Sequence, residues 1–203
     1  MRIIGGTLGG RRLVTPQGLA TRPTADRVKE AIFNILGSPK TANGDSSPFR
    51  VLDLYAGSGA LGLEAISRGA DEAVLVETDR AAIQAATRNV AMLGLEARVR
   101  IVQDDAAMAV RRLPGLFSWV FLDPPYGIGA IERMLRLLGK STLLAPGALV
   151  LAEHDAREAP AERHGQLALE DRRSYGQTAV SFYRQDPNVP EPVPEPTPKK
   201  EPR

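Results

Sequence analysis

The sequence predicts a doubly wound α/β fold: a mostly parallel sheet closed by an antiparallel C-terminal hairpin, preceded by a small N-terminal β-hairpin and helix. Three observations carry this reading. From Arg50 onward, short apolar runs alternate with stretches of helical periodicity, as parallel strands and their crossover helices require. The first unit, RVLDLYAGSGALGLEAISR at residues 50–68, runs from an apolar strand through a small-residue turn straight into a helix. Beyond residue 152 the alternation stops, and two strand-like runs face each other across Tyr175 and Gly176.

Composition bounds what such a fold can do. With 203 residues, 43% of them hydrophobic, one ordinary domain with a full core is expected. No stretch is apolar enough to span a membrane, and residues 1–10 lack a signal-peptide core, which places the chain in the cytoplasm. The absence of cysteine excludes disulfides, thiolate nucleophiles and zinc–cysteine sites. Two histidines, His154 and His164, leave little for a metal centre, so none is expected. The net charge is only +2, but residues 1–40 hold seven basic groups against two acidic ones. That local excess suggests a polyanionic partner, although a solvated surface explains charge alone equally well.

Each element has its own signal. Arg2 to Ile4 and Arg11 to Val14 read as hairpin strands around a turn rich in glycine. Pro23 and Thr24 mark a helix start, with Thr24 as N-cap and Asp26 in the first turn. Val28, Ala31, Ile32 and Ile35 share its inner face, Arg27 and Glu30 its outer one, and Gly37 to Pro39 stop it. Residues 38–48 form a polar loop. Strands are then expected at 50–54, 73–77, 98–102, 118–122 and 147–152, and helices at 58–68, 79–93, 105–112 and 128–140. Residues 165–174 and 177–184 make the closing hairpin. The last eighteen residues carry seven prolines and almost nothing apolar, a composition that cannot offset its ordering entropy. Three divisions follow: a basic extension at 1–48, a main domain at 49–185 and an extended tail at 186–203.

Chemistry collects at the carboxyl ends of the strands, where open α/β sheets bind ligands. Asp53, Glu77, Asp105 and Asp123 each fall at or just past such an end. Singly, each reads as a solvated loop carboxylate; together they form one rim. Gly57 and Gly59 let the backbone turn and approach a ligand, while the following helix aims free N–H groups there. Gly57, Gly59 and Gly62 also match the dinucleotide spacing. Asp53 places a negative charge where a pyrophosphate would be repelled, which favours the cationic S-adenosylmethionine. Glu77, 24 residues beyond Asp53, is spaced to accept from ribose hydroxyls. Asp79 fits the cap of the next helix. Of Asp104 and Asp105, one faces adenine and the other caps a helix; Asp105 is favoured for adenine. Asp123-Pro124-Pro125-Tyr126 fixes a rigid turn in which the Asp123 carboxylate and Pro124 carbonyl accept from a planar amino group, with Tyr126 stacked on its ring.

These motifs resemble the class I S-adenosylmethionine-dependent methyltransferases, a Rossmann-like fold, with DLYAGSG as cofactor loop and DPPY as the amino-methylating signature. More narrowly, the opening MRIIGGTLGGRRL, the RPTADRVKEAIFNIL helix, VETD and the closing RRSYGQTAVSFYR resemble the RsmD family over residues 1–184. That resemblance implies methylation of the exocyclic N2 of a guanine in bacterial 16S ribosomal RNA, in the small subunit or its assembly intermediate. It implies cofactor contacts at Asp53, Tyr55, Gly57, Ser58, Gly59, Glu77 and Asp105, and a catalytic turn of Asp123, Pro124, Pro125 and Tyr126. RNA contacts are expected at Arg11, Arg12, Arg22 and Arg27, and the chain is expected to be a monomer. The competing readings are a DNA adenine-N6 methyltransferase and a non-catalytic RNA-binding assembly factor.

Overall fold

A computed structural model describes residues 1–16, 23–39, 48–124 and 129–189, with backbone alone for 23–26. Expectations for Arg22, Pro125, Tyr126 and the tail from residue 190, and for the side chains of Thr24 and Asp26, lie outside the described residues.

Five strands alternate with helices as the periodicity requires: β1 Arg50–Leu54, β2 Glu72–Glu77, β3 Val99–Gln103, β4 Phe117–Leu122 and β5 Leu144–Asp155. They pair in parallel in the order β3-β2-β1-β4-β5. After β5 the chain returns through β6 Arg163–His164, β7 Leu167–Tyr175 and β8 Thr178–Gln185, with β8 antiparallel against β5. The eight strands form one sheet ending β5-β8-β7-β6. This is the Rossmann-like α/β fold expected, with β6 added and β5 longer than its apolar run. The strand order reverses between β1 and β4, so the loops leaving these two strands diverge and open a crevice at their carboxyl ends.

Among the described residues, helices α1 Pro23–Leu36, α2 Ala60–Ser67 and α3 Arg80–Leu93 cover one face of the sheet. Helices α4 Ala106–Arg112 and α5 Ala130–Leu138 cover the other. Strand alternation sends Val51, Leu75, Trp119, Phe121 and Leu151 into the first layer, and Leu52, Val74, Val120, Leu122 and Val150 into the second. Both faces are buried, which is why the strands read as unbroken apolar runs. An aromatic cluster fixes the first layer: Phe49 meets Trp119 edge-on at 4.9 Å, and Phe33 lies 5.7 Å from Phe121.

Three local expectations are corrected. The opening segment forms a single antiparallel bridge, Arg2 to Arg12, around a 3₁₀ turn at Gly6–Leu8, rather than two regular strands. Helix α1 begins at Pro23, so Thr24 is inside it rather than its cap; proline suits the first turn, where no donor is required. The buried stripe of α1 is Val28, Lys29, Ile32 and Phe33, and Ile35 is 45% exposed. The stripe is rotated because Phe33 enters the aromatic cluster and Lys29 turns inward.

Lys29 turns inward to meet Glu64. This carboxylate on α2 is fully buried and accepts from the Ile4 and Gly5 amides at 2.7 and 2.8 Å and from Arg68 Nε at 2.9 Å. Lys29 Nζ lies 3.5 Å away and also donates to the Arg2 carbonyl. Ser67, one helical turn on, accepts from the Leu8 amide and donates to the Gly5 carbonyl. At Gly6, whose φ is +76°, a Cβ would stand 1.9 Å from the Ser67 carbonyl oxygen, so the opening turn closes on α2 only with glycine there.

Glu64→Ala removes the common acceptor of this hub and strands two backbone amides. It is expected to lower the unfolding free energy by about 3–5 kcal/mol, as for other broken buried ion pairs, read from denaturant midpoints, with Glu64→Gln losing less.

Candidate functional site

The loop after β1 is held from three sides. Its two leading amides, Tyr55 and Ala56, both donate to the Val76 carbonyl, at 3.1 and 3.0 Å. Gly57 N–H donates to Glu77 Oε2 at 2.8 Å, while Glu77 Oε1 accepts from the Thr78 and Asp79 amides at 2.7 and 2.9 Å. Asp53 Oδ2 accepts from Gly62 N–H in the first turn of α2 at 2.9 Å. Two carboxylates expected to face a ligand therefore also shape the loop that would hold it.

The glycines have separable reasons. A Cβ on Gly57 would meet nothing within 4 Å, so open space lies above the loop there. A Cβ on Gly62 would stand 2.4 Å from Leu75 Cδ2, so this glycine lets α2 lie against β2. Tyr55, half-buried, adopts a left-handed φ of +75°, the one non-glycine residue to do so among the described residues. Such strain costs about 1–3 kcal/mol and persists where surroundings over-determine it; here the paired amides on Val76 do so. Burial raises the Tyr55 hydroxyl, Asp105 adds to the rise and Arg133 opposes it.

Ser58 is nearly buried, its hydroxyl 3.8 Å from Met1 Sδ. Its carbonyl accepts from Asn89 Nδ2 at 3.0 Å. Asn89, fully buried on α3, also accepts from Val14 N–H at 2.7 Å and donates to the Val14 carbonyl at 2.9 Å, imitating a strand partner. The opening segment and the loop are thus clamped by one amide that the helical pattern left unremarked.

The cap assignment is corrected. Asp105 Oδ1 accepts from the Ala107 and Met108 amides at 2.9 and 3.2 Å and caps α4. Asp104 instead accepts from Asp105 N–H at 2.9 Å and pairs with Arg112 at 3.6 Å. A cap must precede the helix with an extended backbone, and Asp105 at ψ 138° does. Asp79 caps α3 through Ala82 N–H at 2.8 Å, as its position predicts.

The rim is acidic, and among the described residues no ion pair reaches Asp53, Glu77, Asp105, Asp123 or Glu153, although Arg133 lies near enough to Tyr55 to act on its hydroxyl. Burial pushes the Asp53 carboxyl up to about 7; the Gly62 amide opposes this, and Asp123 and Glu77 add to it. Asp123 keeps an exposed surface, yet protein crowding raises it to about 6. Glu153, at the end of β5, is pushed up to about 8 by burial and by Asp123. Glu153 was missed in the sequence although it stands one residue past a strand read as ending at 152, the position that Asp123 holds after Leu122, the partner of Ala152. Such a cradle of crowded carboxyls, with open space over Gly57, fits a ligand carrying positive charge. Arg11, Arg12 and Arg27 are exposed, and Arg11 donates to the Met92 carbonyl at 3.3 Å. A separate groove of about 300 Å³, lined by Arg50, Val74, Arg98, Arg100 and Phe117, lies at the opposite, amino end of the strands. Among the described residues no cluster suited to a metal ion occurs, and no helix is long and apolar enough to cross a membrane.

Comparison with known proteins fits this architecture. A family model described as "Conserved hypothetical protein 95" matches residues 1–184. "Ribosomal RNA small subunit methyltransferase D" of Escherichia coli K12 is 36% identical over 186 residues, 92% of this chain and 90% of that protein. The chain belongs to the RsmD family. YlbH of Bacillus subtilis is 38% identical over 188 residues, 91% of this chain and 98% of that protein. The solved structure of Escherichia coli yhhF superposes with a TM-score of 0.78 at 34% identity, covering 93% of this chain and 99% of that one. The match to this RsmD-family model ends at residue 184, within β8.

An acid whose pKa is raised on folding binds more protons folded than unfolded, so its stability contribution falls as pH rises from its unfolded to its folded value. For Asp53 that window runs from 3.8 to about 7. Replacement by Asn is therefore expected to flatten the decline in stability between these limits by on the order of a few kcal/mol, read as the pH dependence of chemical unfolding for parent and variant.

Proposed function

We propose that this chain transfers a methyl group from S-adenosylmethionine to the exocyclic N2 of a guanine in 16S ribosomal RNA of the small subunit. The observation that carries it is the convergence, on one rim, of the glycine loop after β1 and the Asp123-Pro124 turn after β4, among carboxyls that need a cationic ligand. Family membership supports rRNA as substrate, through relatives named for it. The choice of guanine N2 rests on the motif resemblance.

In this reading Glu77 receives a ribose hydroxyl at Oε2, which spends one lone pair on the Gly57 amide and keeps the other, while Oε1 is committed to the Thr78 and Asp79 amides. Asp105 faces the adenine edge with Oδ2 while Oδ1 caps α4. Tyr55, Ser58 and Gly59 shape the loop, and Asp53 holds its helix while lending negative charge to the ligand's cationic end. The bound cofactor supplies an electrophilic methyl on its sulfonium.

Asp123 and the Pro124 carbonyl accept from the two amino hydrogens, which orients a poorly nucleophilic nitrogen whose lone pair is delocalised into the base. Positioning of this kind contributes up to about 7–11 kcal/mol. Pro125 stiffens the turn and Tyr126 stacks on the base, which must be extruded from its helix to reach the pocket. So held, the nitrogen would face the cofactor's methyl, which would pass to it from the sulfonium to leave a thioether, and the rim carboxyls would take up the nitrogen's surplus proton. Arg11, Arg12, Arg22 and Arg27 contact phosphates, the proline-rich tail supplies no catalytic residue, and the chain acts as a monomer.

Transfer of labelled methyl to small ribosomal subunits that lack the modification, followed by nucleoside analysis, is expected to yield N2-methylguanosine. Asp123→Ala is expected to retain cofactor binding and lose most turnover; unchanged turnover overturns the assignment. Label in DNA adenine, or none in any nucleic acid, would favour the adenine-N6 or non-catalytic readings. Replacing Arg11 and Arg12 by Ala is expected to weaken RNA binding and shallow its logarithmic salt slope by about 0.7 for each phosphate no longer neutralised; an unchanged slope moves the RNA surface elsewhere.

A further inference from the structure

The rim holds one carboxyl to which the mechanism above gives no task. In the parallel register β1, β4 and β5 run level: Asp53 pairs with Phe121, Phe121 with Leu151, and Leu122 with Ala152. The next residues, Asp123 and Glu153, are therefore neighbours at the carboxyl ends of adjacent strands. Phe121 and Leu151 belong to the layer under α1 and α2, Leu122 and Ala152 to the other. Alternation turns Asp123 and Glu153 to the first side, that of Asp53.

Among the described residues the charged groups nearest the pair are carboxyls, and the cation across the sheet on the row of Glu153 and Val180, Arg173, is engaged with Asp171. Asp53 faces it from β1, with Glu77 behind from β2. Across β8, Glu153 pairs with Val180, which is apolar, and Ser181 beyond it is engaged with His154 and Arg172. Among the described residues no ion pair reaches Asp123 or Glu153. Two adjacent carboxyls in that setting do not both ionise near neutral pH, and their protons leave in two steps that belong to the pair.

We propose that Asp123 and Glu153 act as one carboxyl pair holding a single proton, with Glu153 the positioning member. Glu153 stays neutral and donates; Asp123, relieved of a like charge, stays ionised and accepts. The pair offers an acceptor beside a donor, which complements an amino group beside a ring nitrogen with a free lone pair. In guanine that is N2 beside N3. This deepens the proposed function and rests on it for the identity of the base, but not for the pair itself.

The test follows the pH dependence of kcat/KM for methyl transfer to the small-subunit substrate. The parent is expected to lose about tenfold per pH unit above an alkaline midpoint, as the pair gives up its last proton. Glu153→Gln keeps a neutral donor at every pH, so its profile is expected to stay level there; an unchanged alkaline limb overturns the proposal. RNA bearing 3-deazaguanosine at the target is expected to react at least tenfold more slowly with the parent, and equal rates overturn the donor's role. A second readout needs no substrate. In protein labelled with ¹³C at glutamate carboxyls, one resonance is expected to titrate near 8 and to fall towards the ordinary range in Asp123→Asn. A resonance already in that range, or unmoved by the substitution, overturns the pair whether or not Glu153→Gln folds. Failure to form N2-methylguanosine while that resonance behaves as expected would instead overturn the reading of the substrate.

Discussion

The structure depends on a buried negative charge on the first helix after the glycine loop. Glu64 has no contact with solvent, and a bare carboxylate there would be prohibitively costly. It is tolerated because two backbone amides, an ammonium and a guanidinium converge on it. Those donors come from the opening segment, from α1 and from the residue that ends α2, so satisfying one charge brings three parts of the chain to a single place. Arg68 then stacks over Phe33 at 5.0 Å, which links the polar hub to the aromatic layer beneath. Buried charges of this kind specify an arrangement more than they stabilise it, since hydrophobic replacements of equal volume often fold as well.

The hub is related to the rim through α2. One end of this helix is tied to β1 by Asp53 and the Gly62 amide; further along, Glu64 and Ser67 receive the opening segment. Asn89 fastens Val14 and Ser58 to the same region from α3. The loop between Tyr55 and Gly59 is consequently fixed by its neighbours, which is the condition for a left-handed tyrosine to persist. A ligand would meet a preformed cradle and lose little to ordering it.

The rim itself is electrostatically unfavourable. Asp53 and Glu153 are raised by burial first, and Asp123, though exposed, is raised by the protein crowded around it. A protein selected only for stability would place neutral groups there. Perturbed carboxyls of this sort collect at functional sites, which is the ground on which the rim is proposed as one.

How far the sequence reached is seen in particular residues. The strands and most helix limits were legible because burial on both faces leaves continuous apolar runs, and because glycine and proline punctuate them. Asp79 was legible as a cap because a cap is decided within four residues. Ile35 and Asp105 were not. Which stripe of α1 faces inward depends on Phe33 finding Trp119 and Phe121, and which of two adjacent aspartates caps depends on where β3 releases the chain. Glu64 and Asn89 gave no signal in the sequence, where each is a polar residue inside a helix, and Glu153 gave one only as the residue just past its strand's apolar run. Local periodicity and turn chemistry thus determined the elements, their order and the positions at which a rim must form. Only the tertiary structure decided which polar groups enter the interior, because burying a charge depends on donors up to sixty residues away, and nothing local encodes their arrival.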